Sequence, residues 1–117
     1  MGRFDHGDLI KRVNNLVNPI IAYLDDNYDK ITGLRKNAFN QLFKSLTSIG
    51  ANLSEADVTA TNPDFKRILS IVIREANESI YWLKIMRNTF KISEFEESEV
   101  QLEEIMKIIK TIIQKTI

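Results

Sequence analysis

The sequence predicts an all-α fold, an antiparallel up-down-up-down four-helix bundle forming one domain over residues 1–117. Three observations predict it. Apolar residues recur at three- and four-residue intervals in four successive blocks. The blocks are separated by short links that carry glycine, Asn-Pro or serine signals. No segment shows the period-two alternation of a strand. The helices are expected at about 8–31, 34–60, 63–89 and 94–116.

In the first block Leu9, Val13, Leu16, Val17, Ile20 and Leu24 share one stripe, while Lys11, Asn15 and Asn18 face away. Pro19 falls on the polar side, where a missing backbone donor is tolerable. Thr32-Gly33 reads as the break. The second block places Ala38, Leu42, Phe43, Leu46, Ile49, Leu53 and Ala56 on its apolar stripe. Gly50 interrupts that block, and a glycine there is expected to let another helix approach closely. Ser45, Ser48, Asn52 and Glu55 run along one edge of the same helix and border the core.

Asn62-Pro63-Asp64 predicts the third start, with Asn as cap, Pro in the first turn and Asp against the helix dipole. Phe65, Ile68, Leu69, Val72, Ala76, Ile80 and Leu83 form its core stripe. Ile71, Trp82 and Ile85 fall outside that stripe, with Tyr81 near them. A helix in a lone bundle needs one apolar stripe, so the second set predicts an interface between subunits, to which Glu78 also belongs. Ser93-Glu94-Phe95-Glu96 reads as a capping box opening the fourth helix. Its apolar face runs through Leu102, Ile105, Met106, Ile109, Ile112 and Ile113, with acids early and lysines late.

Composition narrows the function classes. The chain has 117 residues, 16 basic and 16 acidic side chains, one histidine and no cysteine. A chain of this size buries about two-thirds of its unfolded surface. Without cysteine there is no disulfide framework or thiolate metal site. No targeting signal and no membrane span is expected, which fits a cytoplasmic protein. His6 lies before the first helix and completes no Glu-x-x-His pair, zinc site or catalytic triad. The glycines at 2, 7, 33 and 50 make no phosphate-cradling loop. Metal, cofactor, small-molecule substrate and enzymatic activity are therefore not expected. Glu55, Glu75 and Glu78 are the only carboxylate group that merits an acid–base or metal reading. The reading taken here is a polar network between helices, formed by Ser48, Asn52, Glu55, Glu75 and Ser79, with Arg74 as an ion-pair partner. Charge is uneven despite its zero sum. Residues 35–91 carry an excess of basic side chains, and Lys36, Lys44, Lys66, Arg67 and Arg74 are candidate nucleic-acid contacts.

Residues 41–56, Gln-Leu-Phe-Lys-Ser-Leu-Thr-Ser-Ile-Gly-Ala-Asn-Leu-Ser-Glu-Ala, resemble the signature of bacterial four-helix-bundle proteins named for the 23S ribosomal RNA intervening sequence. Asp64-Phe65-Lys66 and the run Arg74-Glu75-Ala76-Asn77-Glu78-Ser79-Ile80-Tyr81-Trp82-Leu83 resemble a second part of it, in the same order and spacing. The resemblance covers the central half of the chain and implies a bundle that assembles as a ring, commonly a pentamer. Ser48, Asn52, Glu55, Glu75, Glu78, Tyr81 and Trp82 match its motif positions, and no catalytic role comes with them. A relative in fold is the accessory protein of diversity-generating retroelements, a basic pentamer that binds reverse transcriptase and nucleic acid. This chain departs from it in carrying no net charge. Together these readings predict a non-enzymatic homo-oligomeric scaffold or accessory protein. The alternative is an RNA- or DNA-binding subunit acting through the basic faces of the second and third helices.

Overall fold

The computed structural model describes residues 2–4 and 8–117. His6 lies outside the described residues. Four helices follow in chain order: α1 (Asp8–Asn27), α2 (Leu34–Asp57), α3 (Asn62–Asn88) and α4 (Glu96–Lys115). They lie side by side in a rod of 46 × 21 × 20 Å. At about 1.5 Å per residue, α3 alone runs most of the long dimension. It packs most extensively on α2 and then on α4, while α1 packs chiefly on α2. Arg12 meets Glu104, and Tyr23 meets Phe95, so α1 and α4 run in opposite directions.

The core is one apolar cluster drawn from all four helices, with Leu42, Leu46, Ile49, Leu69, Val72, Leu102 and Ile105 fully enclosed. The expected stripes of α1 and α3 supply most of it. In α2 the assignment changes by one turn. Phe39 is buried at 1% exposure and packs near Tyr23, whereas Phe43 is 48% exposed. A four-residue step overshoots a full turn by about 40°, which carries Phe43 off the buried side.

The helix ends depart from expectation in identifiable ways. The first helix stops at Asn27, and a 3₁₀ turn, Tyr28–Lys30, continues it. Gly33 then takes φ +63°, the left-handed backbone that glycine adopts without strain. Thr61, not Asn62, caps α3: it is extended and its hydroxyl accepts the Asp64 N–H at 3.3 Å. The Asn62 side chain is drawn instead to Arg3, whose Nη1 donates to it at 2.8 Å. Arg3 also donates to the Thr59 carbonyl, and Phe4 packs against Phe65, so the chain start clasps the α2–α3 link. Lys91 closes α3 in the left-handed region at φ +61°, with the Ile92 N–H returning to the Met86 carbonyl.

The expected capping box does not form. Phe95 precedes the first residue of α4 and no side chain caps that end. Two packing contacts set the start instead. Phe95 stacks edge-on against Tyr23 at 5.0 Å, and Glu99 is held by Arg87 of α3. Gly50 is not a point of tight approach either. A methyl group there meets only the Asn14 side-chain oxygen, at an ordinary 3.5 Å.

Candidate functional site

The second apolar set on α3 is one of the places where the fold leaves hydrophobic surface uncovered. Ile71, Glu78, Trp82 and Ile85 are separated by steps of seven, four and three residues, which keeps them within one sector of the helix. Ile71, Trp82 and Ile85 are half-buried, Glu78 is exposed, and Tyr81 is 57% exposed. The Tyr81 ring stands edge-on to Trp82, with centroids 5.3 Å apart and planes at 76°. Such a pair adds about 0.5–1.5 kcal/mol beyond area burial and stiffens both rings. Trp82 Nε1 is sealed from solvent and has no hydrogen-bond acceptor among the described residues. An orphaned donor costs about 1–3 kcal/mol, so packing of the indole body, not its polar edge, holds this residue in place.

The predicted polar network contracts to a pair of hydroxyls. Ser79 Oγ lies 2.8 Å from Ser45 Oγ across the α2–α3 contact, and both are buried. The Glu75 carbonyl lies 3.0 Å from Ser79 Oγ, and the Leu42 carbonyl lies 3.1 Å from Ser45 Oγ. Two hydroxyl protons serve these three contacts. Ser48 and Asn52 do not join them: Asn52 Nδ2 donates to the Ser48 carbonyl within α2 at 2.8 Å. Glu55 is exposed and Glu75 half-buried, and neither carboxylate has a side-chain hydrogen bond or ion pair among the described residues. Arg74 is exposed and likewise forms no ion pair among them. Short hydroxyls satisfy themselves on carbonyls one turn back, while long carboxylates reach water. Ser45 heads the polar edge seen in the sequence, but its burial comes from α3 packing over it at Ser79, which periodicity does not show.

One charged contact was missed by sequence reasoning. Glu99, 6% exposed, takes two hydrogen bonds from Arg87, at 2.9 Å from Nε and 3.0 Å from Nη2. The carboxylate holds the Arg87 guanidinium above its ordinary value through that bond, against a smaller opposing desolvation. Tyr23, which meets Phe95 at the same end of α4, is also raised, by burial first and then by the charge of Glu94.

The candidate basic residues differ in exposure and in what they contact. Lys44, Arg67 and Arg74 are exposed, and Lys36 and Lys66 are half-buried. Lys36 Nζ sits 4.4 Å over the Tyr28 ring, and Arg67 leans 3.7 Å from Asp64. Arg67, Arg74 and Tyr81 are spaced by seven and so share an outward stripe of α3. Among the described residues no group of three His, Cys, Asp or Glu side chains is placed to hold a metal ion. No helix is long and apolar enough to cross a membrane.

Comparison with known proteins agrees with this architecture. The model of the 23S rRNA-intervening sequence protein family matches residues 8–111. A solved structure of a protein of unknown function from the S23 ribosomal protein family of Bacteroides thetaiotaomicron superposes with a TM-score of 0.80. The two are 27% identical over 92% of this chain and 99% of that one. No curated protein matches the chain. With the match running from the first residue of α1 into the last turns of α4, the chain belongs to the 23S rRNA-intervening sequence protein family.

Proposed function

We propose that this protein is a non-enzymatic, self-associating scaffold, a homo-oligomer whose copies meet through the outer face of α3. The observation that carries this reading is the Tyr81–Trp82 pair. A tyrosine 57% exposed, braced by a half-buried tryptophan and with half-buried Ile85 one turn on, is apolar surface that the bundle itself does not cover. Tyr and Trp are also the residue types that anchor interfaces. A pentameric ring is the assembly that the family resemblance implies.

Multi-angle light scattering of the wild type and Tyr81→Ala at equal concentration tests the reading. Tyr81 is on the surface, so its removal leaves the fold intact by circular dichroism. The wild type is expected to elute as a multiple of 13.5 kDa, and the variant as a smaller species. A wild type at the mass of one chain overturns the proposal.

A second reading, an RNA- or DNA-binding accessory subunit, is supported by the exposure of Lys44, Arg67 and Arg74 on α2 and α3. Counterion release then predicts binding that weakens steeply with salt. Absence of binding to mixed RNA even at low salt removes this reading.

A further inference from the structure

Of the four helices, α1 is the most lightly held. It packs chiefly on α2 and only sparsely on α4. Where it meets α4, its polar contact is the water-exposed Arg12–Glu104 pair and its aromatic contact is Tyr23 on Phe95. Open clefts break that seam. One, of about 550 Å³, lies among Phe4, Leu9, Phe65, Ile108 and Ile112, and another, of about 570 Å³, among Lys11, Asn15, Glu97 and Gln101. Between α1 and α2 is a further open cleft of about 440 Å³, lined by Ile21, Tyr28, Phe39 and Phe43, with Phe43 forming one lip. Pro19 divides the helix between these clefts. It has no N–H to return to the Asn15 carbonyl, so the ladder lacks a bond between residues 8–18 and the part that carries Tyr23.

Residues 2–4 are held far more firmly than so short a segment requires. The Arg3 N–H donates to the Asp57 carbonyl at 2.9 Å, and the Phe4 N–H to the Asp57 carboxylate at 2.8 Å. Arg3 Nε donates to the Thr59 carbonyl at 3.0 Å, and Nη1 to the Asn62 side chain at 2.8 Å. Every one of these bonds ends on the stretch 57–62, where α2 gives way to α3. The Arg3 guanidinium also lies 4.6 Å over the Phe65 ring, and Phe4 is buried against the same ring. Gly2 fits so closely that a Cβ there would run into the Asp57 carboxylate. Phe4 and Asp8 are four residues apart, so docking the first keeps the start of α1 within about 14 Å of it.

We propose that residues 2–4 are a strap that latches the first half of α1 onto the α2–α3 link. When the strap undocks, that half swings away from α4 about Pro19 while α2, α3 and α4 stay packed. The Ser45–Ser79 contact and the Arg87–Glu99 pair tie those three helices together, and neither involves α1. The swing uncovers Val13, Leu16 and Val17, which keeps the open form a minor population, yet it exposes far less than unfolding of the whole chain. The device does not depend on self-association, because Tyr81 and Trp82 belong to the part that stays closed.

Thiol labelling tests it, since the chain has no cysteine of its own. Val13→Cys places a fully buried thiol in the half that moves, and Ser79→Cys places one at the α2–α3 contact. Each rate of reaction with a small disulfide reagent is divided by the rate of the same variant in denaturant. The thiol at position 13 is expected to react at least about ten times faster than the thiol at 79, with a shallower dependence on urea, as a local opening does. Adding Arg3→Ala is expected to raise the rate at 13 by about tenfold, the effect of losing one hydrogen bond of a charged group. Gly2→Ala, which crowds Asp57 and leaves Arg3 in place, serves where Arg3→Ala does not fold. Equal rates at 13 and 79 mean that the chain opens only as a whole and overturn the proposal. A rate at 13 that release of the strap leaves unchanged overturns the latch.

Discussion

Ser45 and Ser79 are short, neutral and buried, and they meet where α2 and α3 press together. Each hydroxyl also has a carbonyl of its own helix within reach. Ser79→Ala is therefore expected to cost about 1 kcal/mol, and the Ser45→Ala/Ser79→Ala double variant less than the sum of the singles. Urea denaturation of the four-member cycle measures this, and strict additivity would show that the two hydroxyls act separately. Gly50 has the opposite expectation. It sits inside α2 with room for a methyl group, so Gly50→Ala gains helix propensity without a clash. Its unfolding midpoint is expected to rise by an amount equal to about 0.5–1 kcal/mol, and a fall would mean that Asn14 cannot yield. The apolar positions of α3 were legible at this scale because Ile68, Leu69, Val72, Ala76 and Leu83 keep a helical period. The Phe39–Phe43 exchange and the role of Ser45 were not. Both depend on where a neighbouring helix lies, and period alone gives a stripe without its edges.

Among elements, the α3–α4 and α1–α4 contacts decide where α4 begins. The Ser93–Glu96 pattern has the chemistry of a cap, yet Phe95 docking on Tyr23 and Glu99 docking on Arg87 set a later start. These are contacts between residues distant in the chain, so no local motif announces them. Arg87–Glu99 buries its carboxylate, whereas Arg12–Glu104 lies open to water with both side chains about half exposed. Exposed pairs contribute about 0.2–1 kcal/mol and are screened by salt, which leaves the former as the ion pair that orients α4. Tyr23 makes the α1–α4 contact sensitive to alkali. Burial raises its phenol above the ordinary 10.0, so the folded chain holds that proton more tightly than the unfolded chain. The resulting stability is complete below about pH 10 and is lost as pH rises through the raised folded value. Melting temperatures of the wild type should fall across this window, and Tyr23→Phe should reduce the fall. An identical loss in the variant would place the alkaline sensitivity elsewhere.

At the scale of the whole molecule, one bundle hides the stripes of its four helices but not the outer face of α3 or the lip of the α1–α2 cleft. The first surface was legible in the sequence because Ile71, Trp82 and Ile85 depart from the core period. The second was not, since it is lined by residues of two helices and depends on Phe43 facing outward. The polar face of the predicted network likewise resolves into local bonds and free carboxylates once the helices are placed. What the molecule leaves uncovered is thus apolar surface at more than one place. If copies meet at Tyr81 and use the exposed Arg74 and Lys84 beside it, association should weaken as salt rises from about 0.05 to 0.5 M, because a shorter Debye length screens those charges. A mass unchanged by salt would assign the contact to apolar packing alone.

Sedimentation equilibrium of the wild-type chain at micromolar concentration is the most direct measurement of all. A mass of several chains, each of 13.5 kDa, is expected. A single ideal species at the mass of one chain would contradict it.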